Sequence, residues 1–140
     1  MGLRLPLQAL GTCGWLRDPR FYAVLALGPT AWLLPEPALR IALWRLALLA
    51  LAEEALFRGV LQQWLLRRVG FARRFGPLTL ANLTASSCFA LAHLLVQPPL
   101  WAAAVFFPSL IFGWLWDRHE RLLPCALVHF SYNLWFFYRF

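Results

Sequence analysis

No lysine occurs among the 140 residues; all thirteen basic side chains are arginine, set against six acidic ones. Charged residues make up only 14% of the chain, and there are three cysteines. Each scarcity excludes something. Cys13, Cys88 and Cys125 form no closely spaced pair, so neither a disulfide framework nor a cysteine-based metal site is encoded, and they read as small core residues. The low charge argues against a water-soluble domain. A chain this short leaves roughly 40% of its unfolded surface exposed after folding, and 61% of these residues are hydrophobic. The missing lysine reflects genome composition and carries no functional message. The net charge of +7 raises the question of nucleic acid, but the arginines cluster in short segments between apolar runs. That is the topogenic pattern of membrane proteins, and no nucleic-acid partner is expected. Residues Met1 to Leu10 carry one arginine and an apolar stretch interrupted by Pro6 and Gln8, which predicts no signal peptide.

What the sequence has in quantity is long apolar runs, with a mean hydropathy of +0.62. They predict an all-α, polytopic transmembrane bundle of about four to five helices. The bland alternative is a leucine-rich helical subunit buried in a larger soluble assembly. The expected organisation is one domain over 1–140, with an interfacial segment at 1–20 and a functional core at 38–136. Phe21 to Leu34 reads as a bent span or re-entrant segment broken at Gly28-Pro29. The turn Pro35-Glu36-Pro37 ends it. Helices are then expected from Ala38 to Arg68, Leu78 to Val96, Leu100 to Trp116 and Leu122 to Phe140. A basic loop at Gly70–Pro77 and a polar loop at Asp117–Arg121 separate them. The arginines at 17, 20, 67, 68, 73, 74, 118 and 121 fall on one side if all helices cross, and the basic loops are expected to be cytoplasmic.

Inside these runs polar residues are few. Glu53 and Glu54 lie deep in an apolar helix, where an ionised carboxylate costs at least about 2.5 kcal/mol unless it faces a cavity and finds partners. Neighbours on a helix point in different directions, so the two glutamates serve different ends. Glu54 and Arg58 stand four apart in the favoured order for an ion pair. His93 lies four residues after Phe89, and His129 and Asn133 share a helix face. Asn82, Thr84, Ser86 and Ser87 line the start of the third long helix. Taken singly, each has a structural reading: a histidine that ties helices together, serines that pack, a solvated His119 in its charged loop. Taken together, two carboxylates, two histidines and an amide on three helices are the set needed to activate water and stabilise an oxyanion. The same set offers zinc ligands in Glu53, His93 and His129.

The segments EEALFR (Glu53, Glu54, Arg58), FALAH (Phe89, His93) and HFSYN (His129, Asn133), in this order, resemble the CPBP family. These are the CAAX-processing and bacteriocin-processing intramembrane proteases, also called Abi proteins or type II CAAX prenyl endopeptidases. The Phe57-Arg58-Gly59 and Gly113–Arg118 segments fit the same pattern, and the match covers roughly Leu49 to Asn133, most of the chain. The resemblance implies an α-helical membrane endopeptidase. Glu53 would activate the water with help from His93. His129 and Asn133 would form the oxyanion site, and Glu54 and Arg58 would hold Glu53 in place, with Phe89 in support. It implies no cofactor, with zinc as the alternative. The partners would be the lipid bilayer and a membrane-anchored protein or peptide cut near its C-terminal or leader segment, and the location a bacterial inner membrane. Two other function classes compete: a non-catalytic immunity or scaffold protein, and a small transporter or proton relay. The sequence carries no signal of oligomeric state.

Overall fold

The computed structural model describes residues 13–35, 37 and 40–138. The expectations for residues 1–12 and Glu36, the helix start at Ala38 and the helix end at Phe140 fall outside that range. Asp18 starts the first α-helix, α1 (Pro19–Leu25), its carboxylate accepting the Arg20 backbone N–H at 3.0 Å. Proline at the first position has no N–H that needs a partner. A 3₁₀ segment, Gly28–Leu33, follows. It lies against the C-terminal helix because Gly28 has no side chain there: a Cβ would strike the Trp135 indole. Trp32 meets the same indole edge-on at 5.1 Å. The stretch 21–34 is therefore two short helical pieces laid on the bundle. Seven residues of α-helix reach only about 10 Å, far short of a bilayer.

The long helix is a continuous run of α2 (Leu43–Glu54), a π-helical stretch (Ala55–Gln62) and α3 (Gln63–Leu66). Its described part starts at Leu43, after non-helical residues 40–42, and the preceding Ile41 carbonyl is held by the Tyr138 hydroxyl at 2.6 Å. The wide turns begin directly after the paired glutamates, a place where π-turns in other proteins often mark function. The expected basic loop contains a small hairpin, β1 (Arg74–Phe75) against β2 (Leu78–Thr79), closed by Gly76 at φ +62°. Thr79 then caps α4 (Leu80–His93) by accepting the Asn82 N–H at 3.0 Å.

The next run, α5 (Pro99–Ala104) and α6 (Phe106–His119), breaks at Val105. Pro108 lacks the N–H that would bond Ala104 four residues back, which accounts for the break. Helix α6 continues through His119, and Glu120 ends it in the left-handed conformation with φ 49°. Asp117, Arg118 and His119 are thus the last turn of a helix and not the loop expected from their charge. His119 is not solvated either: its side chain is 12% exposed, and Nε2 lies 3.4 Å from Asp18. Arg118 also pairs with Asp18, and its hydrogen bond holds that carboxyl below the ordinary carboxylate range. Helix α7 (Leu122–Phe137) closes the bundle, packed on α2 and α6, while α6 packs on α4.

The molecule is an all-α bundle whose only strands, among the described residues, are those of the hairpin. Trp15, Phe21, Phe112, Leu115, Trp116, Leu122, Cys125 and Val128 form its main core. Among the described residues one helical run, Pro99–His119, is long and apolar enough to cross a membrane, while Leu122–Phe137 is apolar but shorter. Leu48, Leu56, Val60, Leu91, Leu95, Leu100 and Phe107 face outward, an apolar surface suited to lipid and not to water. Helices approach closely at Gly113, where a Cβ would collide with the Asn82 amide and crowd Gln62. Gly113→Ala is expected to cost about 1–3 kcal/mol by overpacking, read as a lower thermal unfolding midpoint in detergent. Gly59→Ala is the control. Its Cβ would meet open space, so the midpoint should hold or rise with helix propensity.

Candidate active site

Glu54, Arg58 and Gln62 follow one another at four-residue steps along the long helix, and all three are completely buried. An arginine with no water must spend every N–H on protein, and Arg58 does. Its Nε–H donates to Glu54 Oε2 at 3.1 Å. One terminal nitrogen donates to Gln62 Oε1 at 3.1 Å and Ser86 Oγ at 3.4 Å. The other donates to the Ser109 carbonyl at 2.9 Å and the Ser109 hydroxyl at 2.5 Å. That accounts for the five donors of a guanidinium. The partners come from the long helix, α4 and α6, so one side chain ties three elements together.

The second oxygen of Glu54 faces α7. Glu54 Oε1 and His129 Nδ1 are 2.9 Å apart. Glu54 is already matched to a permanent cation, so its carboxylate accepts here and His129 Nδ1 is the N–H donor. The ring's other nitrogen, Nε2, then faces Glu53 Oε2 at 3.6 Å. The two glutamates therefore meet the two nitrogens of one imidazole, as their different directions on the helix require. Glu54 is sealed from the surroundings, whereas the Glu53 side chain is 31% exposed. Phe112 stacks on the His129 ring at 4.6 Å and 15°, and the Phe89 edge approaches it at 5.9 Å.

His93 ends α4. Its Nδ1 lies 2.9 Å from the Phe89 carbonyl, which can only accept, so Nδ1 carries the proton and Nε2 keeps its lone pair. Phe89 is almost fully buried, and its ring touches His93 at 4.4 Å and Phe57 at 5.0 Å. It wedges between the two imidazoles. His93 is close enough to Glu53 for a charge on its ring to be felt by the carboxylate.

The structure thus gathers Glu53, Glu54, Arg58, Phe89 and His129, with His93 at the edge of the group. Asn133 stands one turn beyond His129 on α7 and, among the described residues, makes no side-chain hydrogen bond. The Glu54–Arg58 pair differs from expectation in its object, since it grips His129 and not Glu53. As to zinc, among the described residues no group of three His, Cys, Asp or Glu side chains is disposed to hold a metal ion. His129 presents one nitrogen to each glutamate.

Further polar residues outside the three motifs join the network. Ser86 accepts from Arg58 and donates to Asn82 Oδ1 at 3.0 Å, so it is more than packing. Asn82 Nδ2 donates to the Leu110 carbonyl at 3.0 Å. Gln62 Nε2 donates to the Gly113 carbonyl at 2.9 Å and to Asp117 Oδ1 at 2.7 Å. Thr79 donates to Asp117 Oδ2 at 2.8 Å. Removing the cation at the centre of this network leaves Glu54 buried without its counter-charge. Arg58→Ala is expected to destabilise by about 3–5 kcal/mol, seen as loss of folded protein on size-exclusion chromatography in detergent.

A family model described as Type II CAAX prenyl endopeptidase Rce1-like matches residues 35–135. No curated protein and no solved structure gives a significant match.

Proposed function

The chain belongs to the Type II CAAX prenyl endopeptidase Rce1-like family, whose members are membrane-embedded proteases, and from that premise we propose that it hydrolyses a peptide bond by a glutamate-activated water. Glu53 is the general base. It has an open side where a water and a substrate segment fit, and His93 Nε2 offers a second acceptor for that water. The water's oxygen bonds to the scissile carbonyl carbon as its proton passes to Glu53. The carbonyl oxygen becomes an oxyanion. His129 Nε2–H and the Asn133 amide donate to it, the imidazolium being stabilised from behind by Glu54. Collapse of the intermediate breaks the C–N bond, and Glu53 returns its proton to the leaving amine.

The observation that carries this reading is the pair of contacts on His129, at 2.9 Å to Glu54 and 3.6 Å to Glu53. A purely structural histidine needs one partner. Here a fixed carboxylate holds one nitrogen and a half-open one faces the other, an arrangement that orients a ring toward a reacting centre. The substrate is a membrane-anchored protein or peptide cut near its C-terminal or leader segment. The site works in a bacterial inner membrane with the arginine-rich loops on the cytoplasmic side, and it needs no metal.

The test uses protein in liposomes and two fluorescence-quenched peptides, one ending in a farnesylated CaaX sequence and one in an unmodified apolar tail. Cleavage of either by the wild type should fall by at least about 100-fold in Glu53→Gln and in His129→Ala, the scale of losing a general base or an oxyanion donor. Both variants should still elute as folded protein. Undiminished cleavage by Glu53→Gln overturns the reading, and loss of wild-type cleavage with a chelator would move it to the zinc-dependent alternative.

A further inference from the structure

From Asp117 to His129 runs an unbroken series of contacts, half-buried at the Asp117 end and buried beyond it, in which each polar atom has only one way to face. We infer that Asp117 and Gln62 are positioning residues that fix, through Arg58 and Glu54, which nitrogen of the His129 ring faces Glu54 and which faces Glu53. The inference rests on the catalytic reading of His129 above and deepens it.

The argument is one of donors and acceptors. Gln62 is an amide that fits its pocket in either of two flips by shape alone. Its nitrogen meets the Gly113 carbonyl and Asp117 Oδ1, two acceptors that take both amide hydrogens. Asp117 in turn is held by the Thr79 hydroxyl on its other oxygen. With both hydrogens engaged, Oε1 must face Arg58, which has only donors to offer. Were the amide flipped, N–H would face N–H at Arg58 and oxygen would face oxygen at Asp117. The guanidinium so anchored aims its Nε–H at Glu54 Oε2. Glu54 Oε1 is left to take His129 Nδ1–H, and Nε2 is presented to Glu53. The series does not conduct protons, because arginine does not give one up in proteins; it transmits orientation only. Asp117 touches no reacting atom. Its side chain lies at the far end of α6 from Ser109, and its shortest route to Arg58 passes through Gln62, with a longer one through Thr79, Asn82 and Ser86.

A carboxylate is not strictly required for this; one acceptor oxygen toward Gln62 suffices. Asp117→Asn retains such an oxygen, whereas Asp117→Ala removes it. In histidine-labelled protein reconstituted in lipid nanodiscs, ¹⁵N NMR of the wild type should show His129 Nδ1 as a single hydrogen-bonded N–H, and Asp117→Asn should match it. Asp117→Ala should show more than one Nδ1 environment, as the ring loses its single orientation. On whichever peptide the wild type cleaves, kcat of Asp117→Ala should fall about 10- to 100-fold, the usual scale for a group that orients another. KM should stay within about twofold, since no ground-state contact to substrate is removed. Asp117→Asn should recover most of the loss. Should Asp117→Ala fail to fold, Gln62→Met, which keeps the length and deletes the amide, carries the same two readouts. An unchanged His129 spectrum in the alanine or methionine variant, or equal loss of kcat in the alanine and asparagine variants, overturns the inference. The spectrum needs no substrate, so it decides this question even if Glu53→Gln cleaves normally and the glutamate mechanism falls.

Discussion

The structure depends on a fully buried arginine. Moving a guanidinium out of water costs several kcal/mol even after relaxation, and one carboxylate seldom repays it. Arg58 is tolerated because every N–H it carries finds an oxygen, one charged and four neutral. Those oxygens lie on three helices, so the requirement to satisfy one side chain becomes a requirement on how the helices pack. In an apolar surrounding this is a strong constraint. Misplacing any partner leaves an unpaired donor where no water can compensate, and the half-satisfied network is worse than none.

The site follows from the same constraint. Glu54 is the charged partner of Arg58, and its remaining oxygen is the acceptor that orients His129. Phe112 and Phe89 then hold the imidazole by shape, one on its face and one at its edge. Stability and chemistry are thus joined at a single carboxylate. Glu53, one residue earlier, is free of that duty and is left partly open. Two adjacent glutamates in one helix divide into a buried one that builds and an accessible one that faces the outside.

Much of this is legible in the sequence, and the limits are physical. The four-residue step from Glu54 to Arg58 foretells their pairing, since local helix geometry alone brings them together. The same step taken once more reaches Gln62, a signal that is present but weak, because glutamine on a helix usually faces solvent. Phe89, His93 and His129 are legible as polar or aromatic interruptions of apolar runs. Ser109 and Asp117 are not. Each meets the long helix across more than fifty residues of chain, and nothing local marks a serine after a proline, or an aspartate before an arginine, as a network member. The helix ends are misjudged for a related reason. Charge near Arg118 suggests a loop, but the helix continues because its polar last turn has partners in Asp18, Gln62 and Thr79. At Val105 the opposite holds: an apolar run breaks because Pro108 cannot supply one backbone bond.

The reversal between α6 and α7 takes only Glu120 and Arg121, the first in a left-handed backbone conformation. So short a link leaves no slack for one helix to slip past the other by a turn, about 5.4 Å, without unwinding. Ser109, Gly113 and Asp117 on one arm, and His129 on the other, therefore keep a fixed height relative to each other. Any piston-like displacement must fall between this hairpin and the long helix. Such a stroke would carry Glu53 and Glu54 past the imidazole together, so the ring would lose both carboxylates in a single event instead of exchanging one for the other.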